Sequence, residues 1–328
     1  DLHPRVRRQR QMCIRVSSYR FIPQLQNRIS FDYDTVKEGF LLFLLGLFQK
    51  IVFADRFALL VDQVFNHVKL YDAPAYVIAI FLFTMQIYFD FAGYSNMAIG
   101  CSKMLGIKSI QNFNRPYFSS SIADFWRNWH ISLSTWFRDY LYIPLGGNRV
   151  SPLRWACNIM IVFLISGLWH GANWTFLIWG AIHGIYQIIG KFSSTCRQSV
   201  FCKLHLLKIH TFCSYITTFI LVSYALLFFR ANSISDAVYI TKRLVTGRWT
   251  NITFENLGLG KQDILLSCIL LIIWFLLEFV QAKVNLYQQL RRQCLPVRWT
   301  IYLVFIFMCI LFGMYGDLTS ASFIYFQF

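Results

Sequence analysis

The chain has 328 residues, 56% hydrophobic and 18% aromatic, and only 14% are charged, against about 25% in soluble domains. That balance excludes an ordinary soluble domain and places the chain among membrane proteins. The formal net charge of +16 would suggest nucleic acid in a soluble protein. Here the cations fall between apolar runs, where they set topology and meet anionic lipid headgroups. With no RNA- or DNA-binding signature beside them, no nucleic-acid partner is expected.

The first twenty residues carry six Arg (Arg5, Arg7, Arg8, Arg10, Arg15 and Arg20) and one acid, and the chain begins at Asp1. Residues 1–20 read as a basic arm: a polybasic juxtamembrane segment or sequence foreign to the native frame. Apolar runs near the length of a spanning helix, about 20 residues, follow at Glu38–Phe53, Ala75–Gly100, Leu153–Trp169, Trp174–Gly190, Thr211–Phe229, Ile264–Gln281 and Trp299–Met314. The first is short, is interrupted by Gln49 and Lys50, and continues as ADRFALLVDQVF, an amphipathic helix. The polar interval Ala231–Asp263 reads as a loop of mixed charge. The loops Lys191–His210 and Lys283–Arg298 hold cations and no acid. Two spans separate them, so they share a side, and the positive-inside rule makes that side cytoplasmic.

Two stretches depart from simple spans. In DFWRNWHISLSTWFRDYLYIPLGGNR (Asp124–Arg149), Phe125, Trp129, Leu133, Trp136, Phe137 and Tyr140 recur at helical steps. Arg127, His130, Ser134 and Arg138 recur on another face. The expected element is one amphipathic helix, interfacial or re-entrant because it is too polar to face lipid. Pro144 and the Gly146–Gly147 pair end it. Leu153–Gly190 is too long for one span and barely enough for two. Its centre, GLWHGANW, predicts two short helices joined by a tight turn at His170–Asn173. Short helices would recess that turn, which is tolerated only in protein or beside a water-filled cavity. His170 is therefore expected beside a cavity.

Further polar residues lie inside apolar runs. Gln86 and Asp90 share a helix face, and an ionisable group within a span is either functional or held in an ion pair with a neighbouring helix. His183 faces the same choice, with a bond to a backbone carbonyl as the plainer role. Nine Cys are present without a CxxC. Cys202, His205, His210 and Cys213 have spacing that could hold Zn²⁺, but Lys203 and Lys208 interleave them and repel a cation; no metal site is expected. Two His, a nearby Arg and several hydroxyls fit acyl transfer, with a base for an attacking hydroxyl and donors for the oxyanion. No GxSxG, HExxH or P-loop pattern is present.

The segments SIADFWRNWHISLSTWFRDYLYIPLGGNR (Ser121–Arg149) and SGLWHGANWTFLIWGAIHG (Ser166–Gly184) resemble the membrane-bound O-acyltransferase family, in the branch that contains the membrane subunit of alginate O-acetylation. RFIPQL (Arg20–Leu25), QIYFDFAGYSNMAIG (Gln86–Gly100), NFNRPY (Asn112–Tyr117) and SFIYFQF (Ser322–Phe328) match as well, so the resemblance runs from about Arg20 to Phe328. It implies an all-α, polytopic transmembrane bundle with re-entrant or interfacial helices around a central cavity, formed by residues 21–328. It implies His170 as catalytic base and His130 as the second motif position. The implied reaction moves an acetyl group from a cytoplasmic thioester, with acetyl-CoA the expected donor and no permanently bound cofactor. The implied setting is a multi-pass protein of a bacterial-type cell membrane. Its expected partners are the lipid bilayer, an extracytoplasmic acetyltransferase- or esterase-like protein, and polysaccharide export machinery. Several spans that usually precede the RFIPQL-like segment are missing, and Met12–Ser18 does not match what normally stands there, so an N-terminal truncation is expected.

In the expected mechanism, His170 deprotonates the acceptor hydroxyl and His130 positions the donor or stabilises the oxyanion. Arg127 or Arg138 meets the donor phosphates. Gln86, Asp90, Ser134, Asp139, Trp169 and Asn173 complete the cavity lining. The alternatives are D-alanyl transfer to teichoic acid from a carrier-protein thioester, a transporter, and a non-catalytic scaffold.

Overall fold

The protein is described by a computed structural model that covers residues 21–26, 31–249, 257–284 and 286–315. The expected basic arm over residues 1–20 and the SFIYFQF end lie outside the described residues. Within those residues every regular element is helical. The described residues divide into two compact bodies: one takes in residues 31–110 with 257–315, and the other residues 111–247.

In the first body, α1 (Tyr33–Phe48) starts at Asp32, whose carboxylate accepts the Asp34 and Thr35 amides. Such a cap satisfies donors that have no partner in the first turn. The helix runs through a wide π-helical turn (Gln49–Ala54) into α2 (Asp55–Asn66), the amphipathic helix expected there. After Asp72, which caps it, α3 (Ala73–Met104) extends for 32 residues, about 48 Å at 1.5 Å per residue. The α1–α3 contact is made by glycines seven residues apart on each helix. A Cβ on Gly46 would stand 2.4 Å from the Gly93 carbonyl oxygen, and one on Gly39 would stand 2.7 Å from that of Gly100. Small residues at this spacing bring backbones together where lipid supplies no hydrophobic drive. α10 (Lys261–Gln281), α11 (Leu286–Arg291) and α12 (Leu295–Phe312) complete this body.

The second body contains α4 (Ile122–Asn128), α5 (Ile131–Phe137), α6 (Pro152–His170), α7 (Trp174–Lys203), α8 (Leu207–Arg230) and α9 (Ile234–Thr246). α6 and α7 are packed by the same small-residue device. A Cβ on Gly167 would lie 2.4 Å from the Phe176 oxygen, and one on Gly180 would lie 2.3 Å from the Phe163 oxygen.

All seven apolar runs are helical. Among the described residues five helices (α3, α6, α8, α10 and α12) are long and apolar enough to cross a bilayer. The chain is a multi-pass, all-α membrane protein. Three expectations need correcting. The Lys191–His210 stretch is not a loop, because α7 continues to Lys203 and α8 starts at Leu207. The Asp124–Arg149 stretch does not form one helix: it breaks at Trp129–His130, with His130 left-handed at φ 43°. The Ala231–Asp263 interval is not all loop, because α9 occupies its first part. Ser233 caps α9 by accepting the Asp236 amide at 3.1 Å.

Candidate active site

The site is built around the break between α4 and α5. A left-handed, β-carbon-bearing residue interrupts the helical ladder, so its neighbours need other partners. The loop before α4 supplies them. The Asn112 carbonyl accepts the Ile131 amide at 3.0 Å, and the Asn128 carbonyl accepts the Asn114 amide at 3.0 Å. Asn112 Oδ1 also accepts the Ser132 amide at 3.3 Å. The Phe113 ring meets Trp129 edge-on at 5.0 Å. The NFNRPY segment is therefore the brace of the His130 turn.

That turn delivers His130 into the interior, where it is 7% exposed. Its Nδ1 lies 3.4 Å from Ser132 Oγ. Burial, and then the nearby His170, push the His130 pKa down to about 3, because a low-polarity surrounding disfavours the charged ring. The two imidazoles are thus brought into electrostatic range of one another, and His130 is neutral at ordinary pH.

His170 is the last residue of α6 and is 8% exposed. The expected turn follows it: Gly171 is extended, and Asn173 Oδ1 caps α7 by accepting the Thr175 amide at 3.2 Å. A Cβ on Gly171 would strike the Phe176 ring at 2.7 Å, which is why the turn can close over it. Aromatic rings wall the imidazole: Trp169 at 4.9 Å, Trp179 at 5.2 Å, Phe229 at 5.2 Å and Phe176 at 6.5 Å. Trp179 and Phe229 were not singled out by sequence reasoning. Both belong to apolar runs, where an aromatic residue looks the same whether it faces a core or a site.

The third histidine stands behind this wall. His183 is 1% exposed. Its Nδ1 accepts the Trp126 indole N–H at 3.2 Å, rather than bonding a backbone carbonyl. An indole nitrogen can only donate, so His183 is neutral there with its proton on Nε2. This bond ties α4 to α7.

The remaining predicted residues divide. Arg127 is exposed at the end of α4. Ser134 is half-buried and donates to the Trp129 carbonyl at 3.2 Å. Arg138 and Asp139 are exposed and pair with each other at 2.7 Å. Beyond them the chain packs on the first turns of α6: Trp155 Nε1 donates to Tyr142 at 3.0 Å, and Asn158 donates to the Leu145 carbonyl at 3.0 Å. The end of this segment is thereby held against the start of α6. Gln86 and Asp90 belong to the other body. There Lys50, turned inward by the wide turn, bridges Asp90 at 2.6 Å and Asp55 at 2.8 Å. Asp90 thus has the ion-pair role, with Lys50 of α1's continuation as its cation. Glu278 is a further buried acid that sequence reasoning passed over; it accepts the Tyr88 hydroxyl at 2.6 Å. Among the described residues no three His, Cys, Asp or Glu side chains converge as a metal site.

The sequence model of the membrane-bound O-acyltransferase family matches residues 16–229. The chain belongs to that family. The match takes in α1 to α8 and both histidine elements. Similar curated proteins are a probable alginate O-acetylase of Azotobacter vinelandii, 47% identical over 50% of this chain and 33% of its own length, and one of Pseudomonas aeruginosa, 39% identical over 77% and 48%. A peptidoglycan O-acetyltransferase of Helicobacter pylori is 39% identical over 68% of this chain and 42% of its own length. The chain spans about a third to a half of the length of these relatives.

Proposed function

We propose that this O-acyltransferase-family chain transfers an acetyl group from a thioester, with acetyl-CoA as donor, toward a hydroxyl of a cell-surface polysaccharide. The observation that carries the reading is the pair of buried imidazoles, His130 and His170, brought together by a braced left-handed turn and an interhelical turn. Neutral imidazole is the form a general base needs. His170 accepts the proton of the attacking hydroxyl, the hydroxyl oxygen bonds to the thioester carbon, and the departing thiolate takes the proton back. His130, deprotonated by its surroundings, holds the donor or acceptor in line by hydrogen bonding. A thioester is already activated, so positioning and proton transfer are the main contributions.

The cations of Lys191–His210 and Lys283–Arg298, with no acid among them, support donor entry on the cytoplasmic side of the cell membrane. Arg127 and Arg138 are exposed cations suited to the donor's phosphates. The acceptor is reached through an extracytoplasmic acetyltransferase-like partner and export machinery. The test is transfer of label from acetyl-CoA by membranes carrying the protein, compared with His170→Ala. Label transfer that persists undiminished in His170→Ala would overturn the assignment, and transfer only from a protein-bound thioester would replace the donor.

A further inference from the structure

Two indoles flank His183, and only one of them is satisfied. Trp126 Nε1 donates to His183 Nδ1. Trp179, whose ring lies 5.1 Å from the His183 ring, has the same kind of N–H, but that acceptor is already taken. Trp179 is 3% exposed, and its Nε1 is fully buried without a hydrogen-bond partner among the described residues. Around it stand Trp126 at 5.7 Å, Phe229 at 5.3 Å and His170 at 5.2 Å, the last nearly perpendicular at 88°. A buried donor left unmade is costly, and native proteins keep few of them. One that touches the catalytic imidazole invites a ligand as its partner.

We propose that the Trp179 indole N–H binds the acyl carbonyl oxygen of the substrate and stabilises the oxyanion formed beside His170. The inference rests on the acyl-transfer reading and adds a catalytic residue to it. As the acceptor hydroxyl attacks, its proton passes to His170 and the carbonyl π electrons move onto oxygen. That oxygen accepts the hydrogen bond from Trp179, whose proton stays on nitrogen. Collapse reforms the carbonyl, breaks the carbon–sulfur bond and releases the thiolate, which takes the proton from His170. A donor placed in advance in a dry, aromatic site costs no reorganisation during reaction. His183 contributes by occupying Trp126 and leaving Trp179 free.

Trp179→Phe is the test, because it keeps a ring and removes the N–H. With labelled acetyl-CoA the variant is expected to lose about a hundredfold in kcat, the scale of one lost oxyanion donor, with KM little changed. A merely structural indole would behave otherwise, since removing an unsatisfied donor should leave thermal stability unchanged or higher. The second readout does not need turnover. The ultraviolet resonance Raman difference between wild type and Trp179→Phe isolates this indole's hydrogen-bond marker. It is expected to report a free N–H in the unliganded protein and a bonded one with the ketone analogue of acetyl-CoA. A variant kcat within twofold of wild type, or a marker already bonded without ligand, overturns the proposal. Failure of the acyl-transfer reading shows separately, as absence of transfer in wild type and in His170→Ala alike.

Discussion

Adding a single methyl group to Gly167 puts the α6–α7 contact to a direct test. In Gly167→Ala the new Cβ would lie 2.4 Å from the Phe176 oxygen and 3.0 Å from its carbon, where ordinary contact begins at 3.4 Å. The shortfall is about 1 Å, and the atoms in the way are backbone, which cannot rotate aside as a side chain can. The helices must part, at an overpacking cost of about 1–3 kcal/mol, with the upper end expected because two backbones move. The helix preference for Ala over Gly returns about 1 kcal/mol, leaving a net loss near 2 kcal/mol. Because His170 lies three residues beyond Gly167, the parting also shifts the imidazole against Trp179 and lowers transfer activity. Gly190→Ala, on α7, is the control: nothing lies within 4 Å of its added Cβ, so it should be neutral or slightly stabilising. Thermal unfolding in detergent, followed by circular dichroism, measures both. Equal unfolding temperatures for the two variants would refute the close-packing argument.

Lys50→Met should destabilise by about 3–5 kcal/mol, the scale for breaking a buried ion pair from one side. Because Asp90 is 2% exposed, the double change with Asp90→Leu should recover part of that loss in the same unfolding assay, the remainder belonging to Asp55, which still lacks its cation. Trp126→Phe strands the His183 acceptor and should cost about 1–3 kcal/mol, whereas Trp179→Phe should not, which side-by-side unfolding would show. His130 carries a pH signature. Above its ordinary pKa of 6.5 both folded and unfolded rings are neutral and it contributes nothing; as pH falls from 6.5 toward about 3 only the unfolded ring gains a proton, so stability drops by about 1.4 kcal/mol per pH unit. In His130→Asn, which tolerates the left-handed turn, the acid arm of the stability–pH curve should be shallower by that one proton.

Much of this architecture is legible in the residues. Long apolar runs give every major helix, since spanning length and hydropathy are properties of single segments. GLWHGANW announces its turn through two glycines and a capping Asn. The break at His130 is not legible, because nothing local marks a histidine as left-handed. It is set by Asn112 and Asn114, which reach the turn from the preceding loop. Asp90's partner escaped for a similar reason: Lys50 faces inward only because the wide turn at Gln49–Ala54 rotates it. α9 could have been found, since Ser233 followed three residues later by Asp236 is a capping signal. Its polar composition argued instead for a loop. The wall around His170 depends on α7 and α8 meeting α6, which no single segment encodes.

The most direct test of the central claim is the O-acetyl content of cell-surface polysaccharide in cells whose only copy of the protein carries His170→Ala, at wild-type membrane abundance. The account predicts loss of O-acetylation with the protein still in the membrane. O-acetylation at the wild-type level in that strain would contradict it.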